Sequence, residues 1–522
     1  MKNSQIDFSK HILISPIVAD YIAGDNFIEA FYKYKPSIDS VPRVIADKSK
    51  EKIDRNLLVE VLNKQYSSLR KNQNVEKNIS LLASEKTFTV TTGHQLNLFT
   101  GPLYFIYKIL ATVQLTRQCA IRFPDFNFVP VYWMASEDHD FEEINHIHLF
   151  GEKIEWSGEG AKNFGGPSGK LGTQGISVLL ETVRKKIEKE EGSEKLIELL
   201  RNAYLKHESL VDATRYLVNE LFGKYGLVVI DANEKRLKEK FTEVLKDDLV
   251  NHSSFNLVSE TSKQLEKNYK VQVHPREINL FFMTDGSRER ITGDAEKYLK
   301  ELESSPENFS PNVVLRPLYQ EMLLPDVAVI GGPAEIAYWL QYKKMFEHYK
   351  VNFPMLLLRK SFMFIDEKSY QTMKQLDMEV GNIYLPLDEI INKYIAHITW
   401  KTISLDEEKQ QSENTFKALS EKVASIDSTL SASVNAEREK TFAGIEKLEA
   451  KLRKAEKIKH EVAIQKIKNL KQKLFPHEML QERYENFIPF YLKYSDAFFE
   501  TLLNNGDVFD FKLNVLLEEK QS

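Results

Sequence analysis

The sequence predicts an α/β protein with a doubly wound parallel sheet and an α-helical coiled coil towards its C-terminus. Three observations predict it: five short runs that are apolar on both faces, helical stretches between them, and a late proline-free region with apolar residues at heptad spacing. A strand apolar on both faces belongs to a sheet covered on both sides, and helices between such strands supply the crossovers a parallel sheet needs.

The 522 residues allow three or four structural units at ~150 residues each. Hydrophobic residues make up 42% and charged ones 28%, enough apolar material for a sizeable core. The formal net charge of −5 gives no global attraction to nucleic acid, so an anionic ligand has to be held by a local site. A single cysteine, Cys119, excludes an internal disulfide framework and fits a reducing cytoplasm. Its neighbours Ala120 and Ile121 are apolar, which suits a core residue better than a nucleophile. Residues 12–22 are interrupted by Pro16 and Asp20, with no cleavage site after them, so no targeting segment is expected. Residues 96–115 carry Gly101, Pro102, Lys108 and Gln114 and read as a buried helix behind a loop, not as a membrane span. A soluble, cytoplasmic protein with no nucleic-acid or membrane partner is expected.

Residues 1–85 read as mostly helical. The β-branched run 87–92 (TFTVTT) stops at Gly93, and Pro102 suits the first turn of the helix that follows. Further strands are expected at 128–134 (FVPVYWM), 227–230 (LVVI, ending at Asp231), 326–330 (DVAVI, ending at Gly331-Gly332-Pro333) and 355–358 (MLLL, ending at Arg359-Lys360-Ser361). Two stretches break the alternation. Residues 151–222 open with a glycine-rich loop, and 250–312 are expected to carry a strand pair over 271–283. The predicted division is therefore N-terminal helices and the first half of the core (1–150), insertion 1 (151–222), core (223–249), insertion 2 (250–312), the second half of the core (313–400), a coiled-coil hairpin (401–475) and a segment packing back on the core (476–522).

Phe416, Leu419, Val423, Ile426 and Leu430 are spaced 3-4-3-4, an a/d seam that Ile445, Leu448 and Leu452 and then Ile467, Leu470 and Leu474 repeat. A break over 424–428, with Asp427 as a cap, folds this region into a helical hairpin. Its long arm, ~45 residues, extends ~68 Å. That exceeds what one globular core covers, so the seam is expected to meet a second subunit. The alternative is a solvated helix paired only within its own hairpin.

In an open α/β sheet, ligands bind outside the carboxyl ends of the strands. The residues after the five runs are Gly93-His94-Gln95 (with Gly101-Pro102), Ser136-Glu137-Asp138-His139-Asp140, Asp231, Gly331-Gly332-Pro333 and Arg359-Lys360-Ser361. Glycine turns leading into helices offer backbone N–H groups to phosphate or carboxylate, and the Arg-Lys-Ser cluster offers charge and a hydroxyl. Together they suggest a nucleotide-type site. The acidic segment 137–148 (EDHDFEEINHIH) could hold a divalent metal with His146 and His148 as further ligands. Those histidines also alternate with Ile147 and Leu149, as on the polar face of a half-buried strand. No metal ligand is assigned. Asp138, His139 and Asp140 are expected to contact a substrate amine or hydroxyls, and a carboxylate beside a histidine tunes acid–base chemistry. Tyr104 and Lys108 share a helix face, with Lys108 either reaching the site or snorkelling. Glu335 begins a helix, where a carboxylate is favoured whatever the function. Arg316 reads equally as an anion ligand or an ion-pair partner.

Thr92-Gly93-His94-Gln95, Gly101-Pro102-Leu103-Tyr104 with Tyr107-Lys108, and Trp133 to Glu143 (WMASEDHDFEE) form a set of long motifs. So do Leu315-Arg316-Pro317, Gly331 to Tyr338 (GGPAEIAY) and Leu480-Gln481-Glu482-Arg483. In these the chain resembles the cysteine-adding enzymes of bacillithiol biosynthesis (BshC), over about 88–485. The resemblance implies a Rossmann-like core related to class I aminoacyl-tRNA synthetases, two connecting insertions and a coiled coil that makes a homodimer. It also implies a ligase that forms a carbon–nitrogen bond, joining L-cysteine to the amine of glucosaminyl-malate. The family commonly has glutamine where this chain has His94, and Arg359-Lys360-Ser361 stand where the synthetases carry a mobile Lys-Ser loop. Amide formation from a free carboxylate needs activation, so ATP or another nucleotide with Mg is the expected cofactor. Gly93, Gln95, Gly331 and Gly332 are expected to cradle the nucleotide or an activated cysteine. The further binding candidates are His94, Gly101, Tyr104, Lys108, Glu137, Arg316, Glu335, Tyr338, Arg359, Lys360 and Ser361, with Asp138, His139 and Asp140 as the catalytic group. Two competing readings are a metal-dependent hydrolase or deacetylase using Asp138, His139, Asp140 and His146, and a non-enzymatic assembly protein built around the coiled coil.

Overall fold

The structure, a computed structural model, describes residues 1–8, 14–293, 295–403 and 405–519. It divides into two compact units, one of residues 5–363 with 481–514 and one of 1–4 with 364–480 and 515–522. Among the described residues no helix is long and apolar enough to cross a membrane.

The larger unit is organised by five strands: β1 (Thr87–His94), β2 (Asn127–Met134), β3 (Val228–Asp231), β4 (Asp326–Gly331) and β5 (Met355–Leu358). All pair in parallel, in the order β5-β4-β1-β2-β3. The chain thus winds outward from β1 to β3, then returns to the other side of β1 for β4 and β5. The direction reverses between β1 and β4, and the crevice at their carboxyl ends is where such a sheet opens to a ligand. All five expected runs form core strands.

Helix α1 (Tyr104–Arg122) carries the chain from β1 to β2. Its small residues Ala111 and Cys119, with Leu115, let it sit close on Phe88, Val90, Phe128, Ala328, Ile330 and Leu357. Fully burying each of the larger side chains contributes ~1.5–3 kcal/mol. Cys119 is a core residue, and burial pushes its thiol up to about 12. Helix α2 (Leu210–Phe222) packs against β3. Helix α3 (Arg316–Leu323), with Pro317 in its first turn, precedes β4, and α4 (Pro333–Trp339) follows it.

The 250–312 stretch contains an antiparallel sheet in which Leu280–Met283 lies between Arg288–Arg290 and Phe309–Pro311. The expected strand pair over 271–283 is only half right, because residues 271–279 form no strand. The N–H groups of Gln272 and Val273 are taken by the Gln341 side chain (3.2 and 3.0 Å), and Pro275 has no N–H to give to a ladder.

A buried polar cluster ties the N-terminal helix Val41–Lys48 to the start of β4. Lys48 Nζ donates to the Glu321 carbonyl at 2.8 Å and pairs with the Glu321 carboxyl (3.3 Å) and with Glu51 (2.8 Å). Asp326 accepts from Thr89 and Thr91 on β1, both at 2.5 Å.

In the smaller unit, α5 (Asp406–Ile426) and α6 (Ser431–Lys459) run antiparallel, with ion pairs Lys409–Glu449 and Arg438–Glu413 across them. The turn falls at Asp427, whose carboxylate accepts from the Thr429 N–H and hydroxyl (2.9 and 2.7 Å). The long arm breaks at His460 before α7 (Glu461–Leu474), whose Ile464 and Ile467 pack with Leu376, Ile390, Ile391 and Ile395. Leu419, Ile426, Leu430, Leu448 and Leu452 of the seam stay exposed.

Removing Lys48 would leave the buried acids without their cation. Lys48→Met should destabilise the larger unit by about 3–5 kcal/mol, seen as a lower denaturant midpoint, while Glu51→Gln at the rim should cost far less.

Candidate active site

The carboxyl ends of β1 and β2, with Glu335 and Tyr338 of α4, open into a cavity of about 790 Å³. At the β1/β4 end, His94 and Tyr104 share the wall with Lys108, Arg316, Glu335 and Tyr338. Lys108 is buried, donates to the Gly93 carbonyl at 2.8 Å and is ion-paired with Glu335. Its burial lowers its pKa, with Glu335 opposing the shift. The same Glu335 carboxylate accepts the Gly332 N–H at 2.9 Å. The Gly331-Gly332 turn is therefore closed by its own helix carboxylate, and the Gly332 N–H expected to bind an anion is already satisfied. That corrects the expectation of a free anion cradle at β4.

His94 is buried against the rings of Tyr104 (5.2 Å) and Phe105 (5.0 Å), and its Nε2 has no hydrogen-bond partner. Burial first, then the positive Lys108 and Arg359, push its pKa well below the ordinary histidine value. Arg316 lies beside Gly93, where an added Cβ would come 3.6 Å from its Nη1. It is hydrogen-bonded to Gln320 (3.0 Å) and to Tyr338, whose hydroxyl burial raises to about 12.

The Arg359-Lys360-Ser361 cluster does not line this cavity, a second correction. Arg359 donates to Glu482 at 2.6 Å and lies over the Tyr104 ring, while Ser361 donates to the other oxygen of Glu482. Lys360 points into the carbonyls of Leu502 (2.6 Å), Asn505 (3.0 Å) and Gly506 (3.4 Å), and burial lowers it to about 7. The Arg359 Nη2, the Lys360 ammonium and the Ser361 hydroxyl are thus taken by partners within the protein, while Arg359 Nε has none. Gly101 is also structural. Its φ is +61°, a Cβ there would meet Asn97 at 2.7 Å, and its carbonyl accepts from Asn486 at 2.6 Å.

The acidic segment forms the opposite wall. Glu137 pairs with the fully buried Lys238 at 2.5 Å. Asp138 accepts from Gln95 Nε2 (2.7 Å) and the His139 N–H (2.9 Å), and Gln95 also reaches Glu143. His139 Nδ1 lies 3.1 Å from Arg288 Nη1, and Arg288 stacks on Phe281 at 3.8 Å, 3.7 Å from Asp138. Asp140 lines the mouth and is exposed. His146 and His148 stand on a hairpin strand (His146–Leu149) with Ile147 and Leu149 inward, and His148 stacks on Tyr484 at 3.8 Å. Among the described residues no three His, Cys, Asp or Glu side chains converge as metal ligands, so the donor set of the hydrolase reading is not assembled.

The reading of strand ends missed a third wall, supplied by the 250–312 stretch: His274, Arg276, Phe281, Arg288, Arg290 and Asn312. The available signal was the density of basic residues around an expected hairpin, which strand-end logic does not weigh.

A parallel sheet of this order with a cavity at its switch point defines a Rossmann-like fold. The sequence matches the model for the bacillithiol biosynthesis BshC N-terminal Rossmann-like domain over residues 1–360 and that for the BshC C-terminal coiled-coil domain over 362–518. The chain belongs to the bacillithiol-biosynthesis BshC family. It is 39% identical to a Flavobacterium johnsoniae protein named "Putative cysteine ligase BshC", covering 99% of this chain and 100% of that one. It is 40% identical to the Flavobacterium psychrophilum protein of the same name (94% and 95% covered) and 26% identical to that of Bacillus cytotoxicus (93% and 94%). A Campylobacter jejuni structure named "putative arginyl t-RNA synthetase" is similar at a TM-score of 0.22 and 10% identity, over 83% of this chain and 99% of that one; a likeness that loose decides nothing.

His94 is uncharged in the folded protein while an unfolded histidine titrates near 6.5. Below that value the unfolded chain binds the extra proton, so His94 should cost stability as pH falls, by up to about 1.4 kcal/mol per pH unit. His94→Gln should flatten the acid side of the stability–pH curve, and NMR of labelled histidine should find the His94 ring neutral throughout the neutral range.

Proposed function

We propose that the chain is a cysteine ligase that joins the carboxyl of L-cysteine to the amine of glucosaminyl-malate. The observation that carries this reading is the coupling of Asp138, His139 and Arg288 on one wall of a cavity whose other wall holds His94, Lys108 and Arg316. An amide-forming site needs an acid–base group beside the attacking amine and a cationic region for the carboxylate and its activating group. The cavity separates the two.

Asp138 and His139 bind the substrate amine, and the Asp138 carboxylate takes its proton as it attacks. Gln95 and Arg288 hold Asp138 and His139 in place, so the pair is oriented before substrate arrives. ATP, when bound, supplies the phosphoanhydride that activates the cysteine carboxylate. The unpartnered Nε2 of buried His94 and the Arg316 guanidinium are the groups that would hold its phosphates, and they suit an anion in chemistry and placement. Closure of the Gly332 N–H by Glu335 moves that role from the β4 turn to the β1 end and Arg316.

The exposed seam residues Leu419, Leu448 and Leu452 support a second copy of the chain as the partner of the coiled coil. Leu448→Asp with Leu452→Asp should halve the mass seen by sedimentation.

Pure protein incubated with glucosaminyl-malate and L-cysteine should form the thiol product only with ATP and Mg present. Asp138→Ala and His139→Ala should each lower the rate by about 10²-fold or more. Full activity in both variants would remove the acid–base assignment, and product formation without nucleotide would remove ATP.

A further inference from the structure

Gln320 is completely buried one turn below Arg316 on α3, and nothing in the cysteine-addition reading uses it. Its Nε2 donates to Asp326 Oδ2 (3.1 Å) and Glu321 Oε1 (3.2 Å), and its Oε1 accepts from Arg316 Nη1 (3.0 Å). The direction of this amide is not free. Asp326 is an acceptor already taking the Thr89 and Thr91 hydroxyls on its other oxygen, so only the NH₂ end of Gln320 can face it. Burial and the neighbouring Asp326 push Glu321 well above the ordinary carboxyl range. Burial also raises Asp326, and Lys48 closes the pair from below through its contact with the Glu321 carboxyl (3.3 Å).

The result is a polar column from the amino end of β4 to the cavity wall that ends in a carbonyl oxygen. The buried cations Lys108, Lys238 and Arg359 each meet a carboxylate, Glu335, Glu137 and Glu482 respectively. Arg316 instead meets a neutral acceptor and, among the described residues, makes no ion pair. It is oriented without being neutralised.

We propose that Gln320 is a positioning residue, its amide fixed by the buried Glu321–Asp326 pair, that presents the uncancelled Arg316 guanidinium to a carboxylate or phosphate group of a ligand in the switch-point cavity. This extends the role proposed for Arg316 but does not depend on cysteine addition.

The test is an anion-binding cycle on the full chain by calorimetry, with inorganic phosphate and L-malate as separate probes. At least one should bind the wild type, identifying the anion class. Arg316→Gln should weaken it about tenfold, the near-isosteric Gln320→Met by a similar factor, and the double variant no further than Arg316→Gln alone. A packing defect would not vanish in the Arg316→Gln background. Gln320→Glu, which places a carboxylate against the guanidinium, should weaken binding at least as much, and it serves if Gln320→Met does not fold. Wild-type affinity in the Gln320 variants, additive losses in the double variant, or no binding of either anion by the wild type would overturn the proposal. Failure of thiol formation with this cycle intact would instead count against the cysteine-ligase reading alone.

Discussion

The larger unit depends on the parallel pairing of β1 with β4. These strands are more than two hundred residues apart in sequence, yet their register, Ile330 against Thr92, brings Gly93 and the Gly331 turn to the same edge. Because the chain leaves β1 in one direction and reaches β4 from the other, no crossover helix covers the edge between them. The cavity is a consequence of that topology. The pairing is secured by side chains as well as by the ladder: Thr89 and Thr91 donate from β1 to Asp326 at the start of β4. A buried carboxylate that takes donors from a neighbouring strand ties the two strands in one register, since a one-residue slip would turn both threonines to the other face.

Charge in the site is distributed by the same rule. An ion moved out of water has to be paired or hydrogen-bonded, and nearly every buried cation around the cavity meets a carboxylate. Glu335 illustrates how this limits function. Its carboxylate neutralises Lys108 and closes the Gly332 N–H at once, turning a motif that resembles an anion-binding turn into a self-satisfied one. Among the described residues, Arg276, Arg290 and Arg316 line the cavity without a carboxylate partner.

The sequence made the strands legible because the core strands are short, largely buried on both faces and, β2 apart, ended by a glycine or a charged residue. The coiled-coil turn at Asp427 was legible for a similar reason, since heptad spacing and a capping residue are both local. Side-chain destinations were less so. Arg359-Lys360-Ser361 follows β5 in the position of a phosphate-binding cluster, but its partners are Glu482 and the carbonyls of 502–506, more than a hundred residues away. The Gly332 turn was misread for the opposite reason: Glu335 is three residues away, and its alternative use as a cap had to be weighed against the turn's usual role. The wall from the 250–312 stretch was invisible because no rule about strand ends reaches an inserted sheet, and Pro275 with the Gln341 contacts leaves residues 271–279, the first part of the strand pair expected over 271–283, as a loop.

His94 and Gln95 are adjacent in sequence but do opposite things. Gln95 is fully engaged with Asp138 and Glu143, while the His94 ring keeps an unsatisfied nitrogen between two aromatic rings and two cations. A buried polar atom without a partner is costly in a resting protein, typically by 1–3 kcal/mol. An anion that accepts a hydrogen bond from this ring would recover that cost, whereas at Gln95 it would first have to displace a carboxylate.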